Sequence, residues 1–153
     1  MSVTMDEVRA AVEPDEPDYP GAAARLGVAA LPFLLELIQG DDPGLASKAA
    51  SLVGNIRDPA SLEVLVEARR SPEVLVRIAA GGAVQRLSGQ PVDDLLAALY
   101  DDEDPQVRKV ALESAASVRA VDTTEKIKVL AENDPEQFVR DVAKETLRVL
   151  GAG

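Results

Sequence analysis

The sequence predicts an all-α fold: a right-handed α-solenoid of about four antiparallel helix pairs behind an N-terminal helical cap. Three observations carry this reading. A dipeptide of Val-Arg type recurs as Leu45-Ala46, Val76-Arg77, Val107-Arg108 and Val139-Arg140, at offsets of 31, 31 and 32 residues, and a period of this size marks stacked supersecondary units. Aromatic residues are only 3% of the chain, so a core must be built from Leu, Val, Ile and Ala, which suits close helix packing better than strands. Acid-Pro or polar-Pro steps separate the apolar segments at Asp42-Pro43, Asp58-Pro59, Ser71-Pro72, Gln90-Pro91, Asp104-Pro105 and Asp134-Pro135.

The elements follow in order. In "TMDEVRAAV", Thr4 and Glu7 stand at capping-box spacing ahead of Val8, Ala11 and Val12 on one face, predicting a short helix. In "EPDEPDYP", Pro14, Pro17 and Pro20 recur every third residue among acids, favouring an extended polyproline-like segment, and "GAAARLG" predicts one further short helix. Residues 1–30 therefore form the cap and an acidic Pro-rich segment, and residues 31–150 the repeats, within one domain spanning 1–153.

Each repeat pairs two helices. The first helices are "LPFLLELIQG", "PASLEVLVEARR", "PVDDLLAALY" and "TTEKIKVLAEN", all apolar at helical spacing. The second helices begin at the recurring dipeptide. Counting from its first residue, position +4 holds Ala49, Ala80, Ala111 and Ala143; +8 holds Val53, Val84, Ala115 and Leu147; +11 holds Ile56, Leu87, Val118 and Leu150. These positions share one stripe of a helix, which predicts one buried face per unit. Pro in a first helical turn gives up no hydrogen bond and a preceding Asp or Ser can cap free N–H groups, so each of the six Pro steps is expected to start a helix. Charged Arg140, Asp141, Lys144, Glu145 and Arg148 fit the outer face of a terminal repeat.

This pattern resembles HEAT-like repeats of the short phycobilisome-lyase type. The resemblance covers Leu31 to Leu150, with "DDEDPQVRKVALESAA" and "DPEQFVRDVAKETL" matching best and Leu45-Ala46 departing where Val-Arg is expected. It implies second helices on the concave side, a scaffolding or binding role, and a ladder of ion pairs joining Arg77, Arg108 and Arg140 to acids near Asp102, Asp104 and Asp134. It also suggests an alternative function, as an accessory protein (chaperone or lyase-like) for bilin chromophore attachment.

Positions +5 and +6 read as outward: Ala50/Ser51, Gly81/Gly82, Leu112/Glu113 and Lys144/Glu145. A mid-helix Gly costs about 1 kcal/mol relative to Ala, so the Gly81-Gly82 pair calls for a reason. Either the glycines border a bare groove at Ala46, Ser47, Ala50, Arg77, Gly81, Gly82, Gln85 and Arg108 that receives a peptide, the chain's own "EPDEPDYP" included, or they relieve crowding between neighbouring helices. The turns within each pair place Asp41, Asp42, Asp101, Asp102, Glu103 and Asp104 on a candidate acidic rim, with Arg57, Arg86 and Arg119 near the opposite one. Such acids either steer a basic partner or serve as helix caps.

Composition narrows the function. A net charge of −11 disfavours nucleic acid and anionic lipid surfaces. No Cys, no secretion signal in "MSVTMDEVRA" and no apolar run approaching about 18 residues make a cytoplasmic protein the expectation. With no His and no Cys, the commonest general base, zinc ligands and thiol nucleophile are missing. Asp93 and Asp94 are neighbours that point different ways on a helix. "DDED" lacks the Gly and distal Glu of a calcium loop. The expectation is a non-enzymatic protein-interaction scaffold without cofactor or metal, able to self-associate.

Overall fold

A computed structural model describes residues 2–152, so the expected domain limits at Met1 and Gly153 lie outside the described residues. Among the described residues ten α-helices follow one another: α1 (Met5–Val12), α2 (Tyr19–Leu26), α3 (Leu31–Ile38), α4 (Pro43–Asn55), α5 (Pro59–Ala68), α6 (Val74–Ala83), α7 (Asp93–Tyr100), α8 (Pro105–Val118), α9 (Thr124–Asn133) and α10 (Gln137–Val149). No strand occurs among the described residues.

The local signals act through hydrogen bonds. The Thr4 hydroxyl accepts from the Glu7 N–H at 3.2 Å and starts α1. Asp42 and Asp58 cap α4 and α5 through the N–H groups of Leu45 and Ala60, and Asp104 caps α8 through that of Gln106. The other three Pro steps do not start helices where expected. Helices α6, α7 and α10 begin at Val74, Asp93 and Gln137, each two residues beyond the proline. At Ser71 and Asp134 the side chain satisfies the N–H two residues on, of Glu73 and Glu136, closing a tight turn that delays the helix.

The expected extended "EPDEPDYP" also ends early. Asp18 caps α2 by accepting from Gly21 N–H, which draws Tyr19 and Pro20 into the first helical turn, where proline loses nothing. The remaining Glu13–Asp18 connection lies against α4, whose Lys48 ammonium donates to the Pro14 carbonyl at 2.8 Å. From Tyr19 to Ile38 the chain is almost continuously helical and is apolar enough, by length and composition, to cross a membrane, correcting the expectation that no such run exists. Gly27, at φ 63°, bends it, and Ala22, Leu26, Ala30, Leu31, Leu34, Leu37 and Ile38 are buried in the protein core.

The pairs α3/α4, α5/α6, α7/α8 and α9/α10 stack so that each second helix packs on the next, α4 on α6 on α8 on α10. In the first-helix layer α3 packs on α5 and α7 on α9, while α5 and α7 make little contact. Helix α2 lies on α4 where an earlier second helix would lie, and α1 closes over α3 and α4. The repeating stripe is the core: Ala49, Ala80, Ala111 and Ala143 are all wholly buried, as are Val53, Val84 and Ala115. Small Ala at +4 lets the paired helices approach, and the large aliphatics fill the space beside it. Tyr100 joins α7 to the turn entering α9. Its hydroxyl bonds the Thr123 hydroxyl at 2.9 Å, and Thr123 in turn donates to the Ala120 carbonyl. Burial pushes the Tyr100 phenol up to about 12.

Candidate functional site

Position +5 is where the sequence reading and the geometry part. Each residue adds 100° of rotation, so +5 stands close enough to the buried stripe to meet the next repeat. Ala46, Ala50, Gly81 and Leu112 are buried between second helices and cannot line an open channel. A Cβ on Gly81 would lie 2.6 Å from the Val110 methyl of α8, and one on Gly54 would lie 2.8 Å from the Cβ and 2.9 Å from the carbonyl of Ala83 on α6. Crowding therefore explains Gly81, and Gly54 is a second close approach with no periodic signal in the sequence. Gly82 differs: a Cβ there meets Val110 at an ordinary 3.6 Å, and the residue is partly exposed.

The arginines of the candidate groove are also internal. Arg77 makes a two-pronged bond to Asp102, Nε to Oδ2 at 3.0 Å and Nη2 to Oδ1 at 3.4 Å, and its Nη1 donates to the Ser71 and Pro72 carbonyls. Arg108 does the same to Asp134, at 2.8 and 3.0 Å, with Nη1 on the Asp102 and Glu103 carbonyls. The Asp134 side chain is 1% exposed. Burial pushes its carboxyl up, but the Arg108 hydrogen bonds, the Glu136 N–H and the charges of Arg108 and Arg140 outweigh that and hold it below its usual range. Hydrogen bonding to Asp134 correspondingly raises Arg108.

A second link accompanies each rung. Ser114 Oγ donates to the Gly81 carbonyl at 2.7 Å, and the Thr146 hydroxyl is shared between the Leu112 carbonyl at 3.2 Å and its own helix's Val142 carbonyl at 2.9 Å. The junction between α4 and α6 has neither link, because Ala46 and Ser71 replace the ion pair and Ala83 replaces the hydroxyl. These +7 residues, Leu52, Ala83, Ser114 and Thr146, are buried, and a hydroxyl in an apolar column was the signal that could have exposed the link.

The acidic rim is correspondingly thinner than the sequence suggests. Asp102 is a rung, with a side chain 9% exposed. Asp42 and Asp104 are caps, and Asp101 pairs with Lys126 at 2.8 Å. Asp41 and Glu103 keep their charge at the surface, Glu103 lying 3.8 Å from Arg77 Nη2. Among the described residues no cluster of His, Cys, Asp or Glu is placed to hold a metal ion.

What remains open is a shallow groove along the second-helix layer. A cavity of about 280 Å³ is lined by Tyr19 of α2, Ser51 and Asn55 of α4, Ile78, Ala79 and Gly82 of α6, Val110 of α8, and Gln85 and Arg86. It adjoins a larger one, about 530 Å³, through Asn55 and Arg86, where Pro20, Ala23, Ala24 and Val28 give an apolar wall and Arg57 joins Arg86 as a cation. Of the sequence-predicted groove, Gly82 and Gln85 line this surface, and Ser47 is partly exposed on α4.

A family model described as HEAT repeats matches residues 68–148, more than half of the chain. The chain belongs to the HEAT-repeat family. The matched stretch contains the two ladder junctions and α6, while α4, on the other side of the junction that has no rung, precedes it. Among solved structures, the complex of CpcE and CpcF of phycocyanin lyase from Nostoc sp. PCC7120 is similar at 21% identity and a TM-score of 0.71, covering 93% of this chain and 96% of that one. A crystal structure of an engineered protein is similar at 19% identity and a TM-score of 0.60, covering 97% of this chain and 72% of that one. Both likenesses concern the fold. A search of curated proteins finds no match.

Proposed function

We propose that this HEAT-repeat chain is a cytoplasmic, non-enzymatic scaffold that binds a peptide or partner domain along its second-helix groove, with Asp41 and Glu103 of the acidic rim steering approach. One observation carries the reading: three second helices and α2 leave a continuous furrow whose floor is apolar at Ile78, Ala79 and Gly82 and whose edges are polar at Ser51, Asn55, Gln85 and Arg86. A rigid apolar floor with polar edges suits an extended or helical segment, since main-chain groups find partners at the edges while side chains bury in the middle.

The test is affinity capture from the native host with wild type, a groove variant Ala79→Arg and a rim variant Asp41→Lys. Loss of one defined prey with Ala79→Arg supports the groove, and unchanged prey contradicts it. Changes at Gly81 are unsuitable because they disturb packing against Val110.

The second reading is the accessory role in bilin attachment. The fold likeness to a phycocyanin lyase complex favours it, together with the Arg57 and Arg86 cations beside an apolar wall. Visible absorbance acquired on incubation with free bilin, and lost in Arg86→Glu, supports this reading; an unchanged spectrum contradicts it.

A further inference from the structure

Of the three arginines that the sequence places on the rim opposite the acidic turns, one is committed and two are free. Arg119 Nη1 donates to the Val149 carbonyl at the end of α10, the ordinary role of a cation near a helix C-terminus. Arg57 follows the end of α4 and Arg86 the end of α6. Both are exposed, and neither guanidinium has an ion-pair or hydrogen-bond partner among the described residues. The fold nevertheless brings them together. Both line the cavity of about 530 Å³ beside the groove, and both line a further one of about 310 Å³ that continues to Ser88 and Gly89. In a chain with 27 acidic residues against 16 basic ones, two neighbouring cations without a carboxylate partner are a local reversal of charge.

The wall beside them is apolar, made by Pro20, Ala23 and Ala24 of α2 and by Val28, which is 50% exposed. The surface thus offers contact for an apolar side chain next to donors for an anion, and its charge selects the anion. Asp58 lines the same cavity, but its carboxylate caps α5, accepting from the Ala60 N–H at 2.9 Å, and pairs with neither arginine. Two cations and one fixed carboxylate leave a single surplus positive charge. A carboxylate neutralises that surplus, whereas a phosphate, close to doubly charged at neutral pH, overshoots it.

We propose that Arg57 and Arg86 anchor an acidic side chain of the peptide received by the groove, with an aliphatic neighbour of that residue seated against Ala23, Ala24 and Val28. The proposal rests on the peptide-binding reading of the groove, which shares Asn55 and Arg86 with this cavity, and it names one contact that the peptide must make. Guanidinium groups suit the task because their planar N–H forks meet a carboxylate two bonds at a time. The chain's own acidic "EPDEPDYP" is not the occupant: Lys48 holds it on α4 at the Pro14 carbonyl, and its Tyr19 and Pro20 are already part of α2.

The test selects from a displayed library of random peptides on three forms of the whole protein: wild type, the double variant Arg57→Gln/Arg86→Gln, and the groove variant Ala79→Arg. Peptides recovered on wild type carry Asp or Glu beside an aliphatic residue, and that enrichment disappears on the double variant. The strongest of them is then synthesised with a fluorescent label and titrated by anisotropy. Changing its acidic residue to the amide, or both arginines to Gln, weakens binding about tenfold, and combining the changes weakens it no further. Added salt weakens the wild-type complex but not that of the double variant. Both arginines are exposed and unpaired, so the urea unfolding equilibrium of the double variant stays within about twofold of wild type. Peptides that are lost on Ala79→Arg but indifferent to the arginine pair would overturn the anchor and leave the groove reading standing. No recovered peptide, or peptides indifferent to every variant, would overturn both. A phosphoserine version that binds more tightly than the acidic one would overturn the assignment of a carboxylate.

Discussion

The α4/α6 junction and the two that follow it solve the same problem differently. Between α4 and α6 the backbones close directly, with Gly54 against Ala83 and no polar link. Between α6 and α8, and between α8 and α10, an Arg–Asp fork and a hydroxyl–carbonyl bond cross the boundary. The comparison teaches that one repeat geometry can be held by shape alone or by buried polar pairs, and that the two are vulnerable to different substitutions. An apolar contact tolerates loss of any hydrogen bond and fails when volume is added. A polar rung tolerates small volume changes and fails when one partner is removed, because the other charge is left buried.

The largest effect is expected at the innermost rung. Arg108→Ala leaves Asp134 buried and unpaired and costs about 3–5 kcal/mol in urea unfolding. Its pH dependence has a definite sign. The native Asp134 carboxyl sits below its usual value, so its stabilisation is complete above the unfolded value of about 4 and is lost as pH falls through the native one. Asp134→Asn therefore flattens the acid side of the stability profile below about pH 4, while a matching change at Ser71 in the apolar junction does not.

Next comes Gly54→Ala. The added methyl meets the Ala83 backbone at 2.9 Å, where nothing flexible can yield, and costs about 1–3 kcal/mol by calorimetry. The smallest effect has the opposite sign. Gly82→Ala adds a methyl in ordinary contact and removes unfolded-chain freedom, so it stabilises by about 0.4–1 kcal/mol. Destabilisation at Gly82 would show that the open groove is tighter than its geometry.

Most of the fold was legible because helical periodicity reports burial directly. The +4, +8 and +11 columns name the core except at Val118, which is only partly buried, and Thr4, Asp42, Asp58 and Asp104 name the helix starts. The site was less legible. Whether Ala50 and Gly81 face solvent or a neighbour depends on the rotation of one helix against the next, which periodicity within a helix does not encode. Asp102 and Asp134 look like ordinary turn acids; only their near-equal offsets of 25 and 26 residues from Arg77 and Arg108 mark them as rungs. Gly54 carries no signal, since its partner Ala83 lies in another repeat.

The central claim, that charged rungs couple the later repeats, is tested most directly by a double-mutant cycle on Arg108→Met and Asp134→Asn in urea. The account predicts a double variant no less stable than the worse single one and a coupling of about 2 kcal/mol or more. Additive costs, with no coupling between the two positions, would contradict it.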